Sequence, residues 1–204
     1  VGSEMCIRDS EKVRQEKNLS LFLNTSVREV VMKSKKIIKG VRCIQLGSER
    51  VFNIYGRFFI DATGDGTVAA LAGAEYRIGR EATKEFNESL APEKADKYTM
   101  GSSLLFCARD TGKPTRFIPP SWAIDYPNDE DLPFRDHKNI ASGYWWIEIG
   151  APFDTIEDNE KIRDELLRHL LGVWDHIKNH GDHGADNYVL DWIGMVPGKR
   201  ESRR

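Results

Sequence analysis

The feature that most restricts the fold is a series of short apolar runs between residues 27 and 60. The runs at 27–31, 37–46 and 51–54 are separated by the turns KSKK and GSER. A spacing of about ten residues with Gly and Ser between the runs is typical of antiparallel hairpins, so we predict a β-meander. The next run, 58–60, is continuously apolar, which predicts a strand covered on both faces, as in a parallel sheet.

The turn after this run consists of small and polar residues. The segment FFIDATGDGTVAALAGA passes through Thr63, Gly64, Asp65 and Gly66 into the Ala-rich stretch 67–74, for which we predict a helix. The two glycines have no Cβ, so a ligand can touch the main chain there. The free N–H groups at the start of the helix would point back at the same turn. The pattern is therefore compatible with a cofactor-binding surface.

Two other interpretations fit the same turn. An ordinary strand–turn–helix unit explains it without a ligand, whereas the cofactor-surface interpretation has Asp65 or Thr67 as the helix cap. A calcium loop would use Asp61, Thr63 and Asp65, but it needs a bidentate Glu at its twelfth position, where this chain has Ala72. We therefore set the calcium interpretation aside and keep the other two.

The clearest single element in the second half of the chain is an amphipathic helix between residues 155 and 180. We predict a cap from Thr155 with Asp158 three residues later, and Gly181 just beyond the C-terminus. Its apolar residues recur at steps of three and four and form one stripe: Ile162, Leu166, Leu170, Trp174 and Ile177.

Other segments predict strands and one long loop. Residues 19–23 alternate between Leu and other residues, 102–110 form a good strand pattern, and 143–150 form an aromatic strand between glycines. The Pro-rich stretch 112–136 is typical of a long ordered loop.

The meander followed by DATGDG resembles the central part of flavoproteins with two dinucleotide-binding domains, and more narrowly the FAD-dependent oxidoreductases. The resemblance is carried by FIDATGDGTVAALAGAEYRIGRE, from Phe59 to Glu81, and by a second block, WIGMVPGKRESRR, from Trp192 to Arg204. It implies an α/β fold, with a partial Rossmann-like FAD-binding domain and its meander, followed by a mixed α+β substrate or cap region. It also implies an enzyme that transfers a hydride or an electron pair between flavin and a small organic substrate.

The resemblance also implies which residues meet the cofactor. It places FAD beside the Ala-Thr-Gly turn, which carries over to Ala62, Thr63, Gly64 and Asp65. The segment LNTSV resembles the part of the family that meets the adenine edge, which carries over to Val27. A backbone N–H and C=O can pair with that edge whatever the side chain is.

The family's Gly-x-Gly-x-x-Gly motif, which holds the pyrophosphate at a helix N-terminus, does not occur in this sequence. Residues 1–10, VGSEMCIRDS, read as the translation of a sequencing-library adapter, and we exclude them from the fold. We therefore expect a fragment without its N-terminal motif, and activity in the parent protein rather than in the fragment. In it, 11–79 form a partial FAD-binding domain and 80–204 a substrate or cap region truncated at the C-terminus.

The C-terminal run GKRESRR contains Lys199, Arg200, Arg203 and Arg204. Such a run is usually a solvated face. In the family that the chain resembles, a guanidinium can stabilise negative charge on a reduced flavin or bind a substrate carboxylate with two hydrogen bonds. We name Arg200 and Arg203 as candidate catalytic residues without choosing between them.

The histidines at the end of the predicted helix are a candidate metal site. His176 and His180 are four residues apart and can face one side of the helix, and Asp182, His183 and Asp186 follow. Exposed histidines near a helix C-terminus are commoner, because they interact well with the helix dipole. We therefore predict no metal.

Charge and composition exclude several classes of function. The net charge is −2 with scattered basic residues, which does not favour nucleic acid. No apolar run approaches the roughly 18 residues of a membrane span. The chain has three cysteines, which make no disulfide framework and favour a reducing, cytoplasmic compartment. Cys43 and Cys107 lie in strand patterns and read as small buried residues.

A non-enzymatic binding or structural module is the alternative to a flavoenzyme. Trp145 and Trp146 alternate on the predicted aromatic strand, so one can enter the core and the other can line a pocket, although packing is the commoner role for both. Together with Trp122 and the Pro-rich loop they could form a surface that contacts a protein or a sugar.

Overall fold

The computed structural model describes residues 2–133, 137–138 and 140–204, with the backbone alone at 2–7 and 142–143. The chain divides into two compact units, of which the first ends at Tyr76 and the second begins at Arg77. The structure is mixed α/β, and every strand pair within the described ranges is antiparallel. The parallel, Rossmann-like sheet stays a prediction. None of the described helices has the length and apolar character needed to cross a membrane.

The first unit is built on the β-meander, which confirms that prediction. Its strands form one antiparallel sheet in the order β1-β2-β3. Helix α1 includes most of the segment that we interpret as an adapter, and that interpretation stays a prediction. The elements are α1 (Gly2–Gln15), β1 (Thr25–Ser34), β2 (Ile37–Gln45), β3 (Arg50–Tyr55) and α2 (Thr67–Leu71).

The core of this unit lies on the central strand. Val41 and Cys43 of β2 are buried and pack with Val68 of α2. The burial of Cys43 confirms its prediction, and the same burial raises the pKa of its thiol. Because α2 supplies one wall of this core, the helix predicted after the turn is fixed against the meander.

Two predicted strands of the first unit are wrong. Residues 19–23 and 58–60 lie outside the strands of the described chain. Phe58 is 88% exposed and Ile60 is 93% exposed. An apolar run becomes a strand only when another strand pairs with it, and no described strand pairs with either segment.

The second unit contains two three-stranded antiparallel sheets, in the orders β7-β4-β9 and β6-β5-β8. One long helix packs against them and supplies much of the core. The elements are α3 (Thr83–Phe86), β4 (Ser102–Ser103), β5 (Phe106–Asp110), a 3₁₀ helix (Asp129–Asp131), β6 (Ser142–Gly143), β7 (Glu148–Ile149), α4 (Asn159–Asn179), β8 (Tyr188–Ile193) and β9 (Gly198–Lys199).

Helix α4 confirms the amphipathic pattern. Its predicted stripe, from Ile162 to Ile177, is buried throughout and packs around Leu104 and Phe106. Gly181 follows the helix with φ +79°, which confirms the predicted end. The predicted cap is wrong, because the Thr155 hydroxyl donates to the backbone oxygen of Glu201 instead.

The other predictions for this unit are partly wrong. The strand predicted for 102–110 is divided between β4 and β5, which belong to different sheets. The aromatic strand predicted for 143–150 is interrupted by a turn, in which Ile147 N–H donates to the Tyr144 carbonyl. The loop predicted for 112–136 has only the 3₁₀ helix in its described part, and residues 134–136 lie outside the described residues. Cys107 is exposed, so its predicted burial is wrong.

Candidate functional site

The Asp61 carboxylate organises the turn that the sequence singled out. Its Oδ1 accepts hydrogen bonds from the backbone N–H of Thr63 at 3.1 Å and from the Thr63 hydroxyl at 2.7 Å. Its Oδ2 accepts from the N–H of Ala69 at 2.8 Å. Thr63 Oγ1 in turn accepts from the N–H of Thr67 at 2.8 Å. One carboxylate and one hydroxyl therefore join the turn to the first turn of α2.

These hydrogen bonds also set the charge of Asp61. Burial alone would raise its pKa, but the N–H groups of Ala69 and Thr63 and the Thr63 hydroxyl outweigh burial and lower the pKa. Asp61 is therefore a carboxylate at neutral pH, held by donors from both sides of the turn.

The prediction that the first N–H groups of α2 are free is wrong for Thr67 and Ala69, whose N–H groups bond to Thr63 and Asp61. The predicted cap is also wrong, because Gly66 is the N-cap residue and makes no side-chain cap. Sequence reasoning considered Asp61 only as a calcium ligand and missed this hydrogen-bonding role. An Asp two residues before an N–H donor is the spacing of an Asx-turn, and this signal could have identified it.

The backbone of the turn itself is uncovered on one side. Gly64 and Gly66 have φ of +84° and +60°, the left-handed region that favours glycine. A Cβ at either position would meet no atom within 4 Å beyond its chain neighbours. Ala62, Thr63 and Gly64 are exposed, and Asp65 is half-buried. The main chain of the turn is therefore accessible from this side.

Val27 lies on the edge strand β1, opposite Cys43. Its side chain is half-buried and packs on the core that also contains Val68 of α2. Val27 and the helix that follows the turn therefore share one small core.

A separate cavity in the second unit has aromatic and apolar walls. Its volume is about 460 Å³, in the range of small-molecule sites. Trp145 stands exposed at this cavity, where the Ser103 hydroxyl donates to its carbonyl at 2.8 Å. Trp146 is instead partly buried against the core. The described lining residues are Ser103, Leu105, Trp145, Trp192, Gly194, Val196, Gly198 and Arg200.

The two candidate arginines differ in whether they line this cavity. Arg200 lines it and pairs with Glu148 Oε2 at 3.4 Å, and Glu148 Oε1 also accepts from the N–H of Gly101 at 2.8 Å. Arg203 forms an isolated β-bridge with Ile78 and is not among the described residues that line the cavity. The geometry thus favours Arg200 as the residue that can meet a ligand.

The predicted surface position is wrong for His176 and His183. His176 is 1% exposed and lies beside His183, whereas His180 Nε2 lies 3.4 Å from Asp175 Oδ2, so the two helical histidines belong to different clusters of ligand-capable atoms. Burial lowers the pKa of His183, and so would positive charge on its neighbours His137 and His176. His183 is therefore a neutral imidazole at neutral pH.

Comparison with known families gives one result. A family model described as FAD dependent oxidoreductase matches residues 2–204, and this range includes the segment that we interpret as an adapter. The comparisons with curated proteins and with solved structures gave no match. A match over nearly the whole chain agrees with the resemblance carried by the turn at Ala62–Asp65. The chain belongs to the FAD-dependent oxidoreductase family, and its general function is flavin-linked redox chemistry.

Proposed function

We propose that the protein binds FAD against the turn at Ala62–Asp65 and transfers a hydride or an electron pair between FAD and a small organic substrate. The observation that carries this proposal is the uncovered main chain at Gly64 and Gly66, both in the left-handed region and next to the Asp61–Thr63 hydrogen bonds. FAD would supply the redox chemistry, and the protein would supply position and charge.

The satisfied N–H groups of α2 define how the turn can hold the cofactor. Because Thr67 and Ala69 already donate to the protein's own side chains, this helix start is poorly suited to bind a phosphate. The contact we propose is instead a close approach to the glycine backbone. Val27 is proposed, from the resemblance alone, to pair its backbone with the adenine edge of FAD.

Arg200 is our candidate for the catalytic arginine. It stands at the edge of a cavity whose walls include Trp145 and Trp192. Its pair with Glu148 is 3.4 Å long, at the weak end for a charge-assisted bond, so an anionic ligand can compete for the guanidinium. We propose that the substrate is a flat or apolar molecule with an acidic group, bound by the aromatic walls and by Arg200.

The test compares two glycine variants of the full-length protein. Gly64 and Gly47 have φ of +84° and +83°, and both would place a Cβ in open space. Gly64→Ala and Gly47→Ala should therefore cost similar stability, about 1 kcal/mol each, because the backbone strain is the same. Gly47 lies in the hairpin turn between β2 and β3 and is not part of the turn proposed to contact FAD.

Affinity for FAD is measured by titration of the visible absorbance of bound flavin. We expect Gly64→Ala to weaken FAD binding about tenfold, which corresponds to about 1.4 kcal/mol, and Gly47→Ala to leave it unchanged. Equal affinities in the two variants would show that the turn at Gly64 does not touch FAD. A correctly folded full-length protein without bound flavin would contradict the proposed function itself.

A further inference from the structure

Three histidines and one aspartate of the second unit form a cluster, and none of them is among the described residues that line the cavity beside Arg200. The ligand-capable atoms of Asp129, His137, His176 and His183 all lie within 4.8 Å of one another. Asp129 Oδ1 is 3.1 Å from His176 Nε2, 3.5 Å from His137 Nε2 and 3.6 Å from His183 Nε2. His137 Nε2 and His176 Nε2 are 3.4 Å apart.

These separations match those around a tetrahedral ion. Zinc binds nitrogen and oxygen ligands at about 2.0–2.2 Å, which places neighbouring ligand atoms of a tetrahedron about 3.3–3.6 Å apart. Four of the six separations, 3.1–3.6 Å, lie in or near this range, and the other two are at most 4.8 Å.

The buried histidine of the cluster is held in the form that a metal needs. His176 Nδ1 lies 2.7 Å from the backbone oxygen of Tyr126. A carbonyl oxygen can only accept, so Nδ1 carries a proton, and in the neutral ring Nε2 is left with a lone pair. A hydrogen bond from the distal nitrogen to a carbonyl is the usual support of a metal-binding histidine.

That lone pair faces other electron-rich atoms. Nε2 of neutral His176 points at a carboxylate oxygen and at a second imidazole nitrogen. His183 Nε2, buried in the same cluster, makes no hydrogen bond to another described residue. Either His176 is protonated and paired with Asp129, or a cation lies among the four groups. A cation would also bind His183 Nε2, whereas the His176–Asp129 ion pair leaves that nitrogen without a hydrogen bond.

We propose that Asp129, His137, His176 and His183 bind one Zn²⁺ ion as a structural site. Three imidazoles and one carboxylate suit zinc, and four protein ligands leave no open position for a substrate. The carboxylate is on the solvent side, since the Asp129 side chain is 68% exposed, whereas His176 is 1% exposed. Zinc enters from that side.

The ion would join segments that are distant in the sequence. Asp129 begins the 3₁₀ helix of the Pro-rich loop, and His137 follows that helix. His176 is in the last turn of α4, and His183 lies beyond it. The site therefore fixes the Pro-rich loop to the end of the core helix. This inference does not depend on FAD binding.

The test measures zinc in the protein and in four variants, purified without a polyhistidine tag because such a tag binds the same ions. Asp129→Asn removes an exposed ligand with little change in shape, and His183→Gln removes a second ligand. His180→Gln is the matched control, one helical turn after His176 and outside the cluster. His183→Cys replaces one zinc ligand with another.

We expect about one zinc ion in the wild-type protein and in His180→Gln, and chelation to lower the melting temperature by about 5 °C or more. Asp129→Asn and His183→Gln should weaken zinc binding by more than about a hundredfold, the upper limit for loss of a ligand's supporting hydrogen bond. With Co²⁺ as the probe, His183→Cys should bind the metal and add a thiolate charge-transfer band that the wild type lacks.

Three results would overturn the proposal. The wild type could bind no zinc, which would leave the His176–Asp129 ion pair as the explanation. Asp129→Asn and His183→Gln could bind zinc as tightly as the wild type does. His180→Gln could be the variant that loses zinc, which would place the ion at Asp125, Asp175 and His180 instead. If Asp129→Asn or His183→Gln fails to fold, the Co²⁺ spectrum of His183→Cys decides, and a missing thiolate band then counts against the site.

Discussion

Replacement of Asp61 by Asn tests whether its carboxylate holds the turn together. Oδ1 of Asp61 accepts from Thr63, and Oδ2 accepts from the Ala69 N–H. An Asn keeps the shape but offers only one acceptor, because its second atom is an NH₂ group. One side of the network then loses its acceptor and meets a donor instead.

The structure gives the size of the effect. A hydrogen bond to a charged group contributes about 1.5–3 kcal/mol. Asp61 is only partly buried, and solvent screening reduces that figure. We therefore expect Asp61→Asn to cost about 1.5 kcal/mol, which speeds local opening at the start of α2 roughly tenfold.

The assay is hydrogen exchange of individual amides. The Ala69 N–H should exchange roughly tenfold faster in Asp61→Asn at neutral pH. Glu29→Gln is the control, since it removes an exposed carboxylate of the same unit that pairs with Arg42 at 3.5 Å, and it should leave Ala69 unchanged. An unchanged rate in Asp61→Asn would refute the role we give to the carboxylate.

The pH dependence follows from the same hydrogen bonds. The folded state lowers the pKa of Asp61 below its ordinary value of 3.8. The stability that the carboxylate contributes is therefore complete above the unfolded pKa and is lost as the pH falls through the folded pKa. The difference between wild type and Asp61→Asn should shrink only in that acidic range. A difference that changes between pH 6 and pH 8, roughly the range of histidine titration, would point to another group.

Two further predictions concern the second unit. Leu166→Ala should lower the free energy of unfolding, measured by urea denaturation, by about 3 kcal/mol, because this core residue is fully buried. Leu90→Ala, at a residue that is 97% exposed, should lower it by less than about 0.5 kcal/mol. Equal losses in the two variants would contradict the packing of α4. Arg200→Met should weaken binding of benzoate, followed by tryptophan fluorescence, about tenfold through loss of a charged hydrogen bond, whereas Arg203→Met should leave it unchanged; the reverse order would exchange the roles of the two arginines.

Elements whose pattern depends on local periodicity could be predicted from the sequence. The meander follows from three apolar runs with turns between them, and α4 follows from a stripe that repeats every three or four residues. Both patterns indicate directly which face of the element is buried. The buried positions of Val41 and Leu166 are therefore readable without knowledge of any distant neighbour.

Elements that depend on distant partners could not be predicted. The run from Ser102 to Asp110 looks continuous, yet its two parts pair with strands of different sheets. The apolar residues at 58–60 resemble a strand, but pairing decides, and no described strand pairs with them. The sequence has no local signal for either outcome.

The Asp61 turn and the histidine cluster also differ in whether the sequence carries a local signal for them. The Asp61 network is local and carries an Asx-turn spacing, so closer inspection of the sequence could have found it. The histidine cluster joins residues 129 and 137 to residues 176 and 183, and only the folded chain brings these together. His176 and His180, which the helical spacing favoured, have rings that lie 6.3 Å apart, but their ligand-capable atoms belong to different clusters.

The most direct test of the central claim is to record the backbone amide signals of the full-length protein by NMR as FAD is added. The claim is that the main chain at Gly64 and Gly66 is left uncovered for FAD. We predict that the amide signals of Gly64 and Gly66 shift with FAD saturation, while that of Gly47, which has the same backbone conformation, stays in place. Saturation with FAD without a shift at Gly64 and Gly66 would contradict the claim.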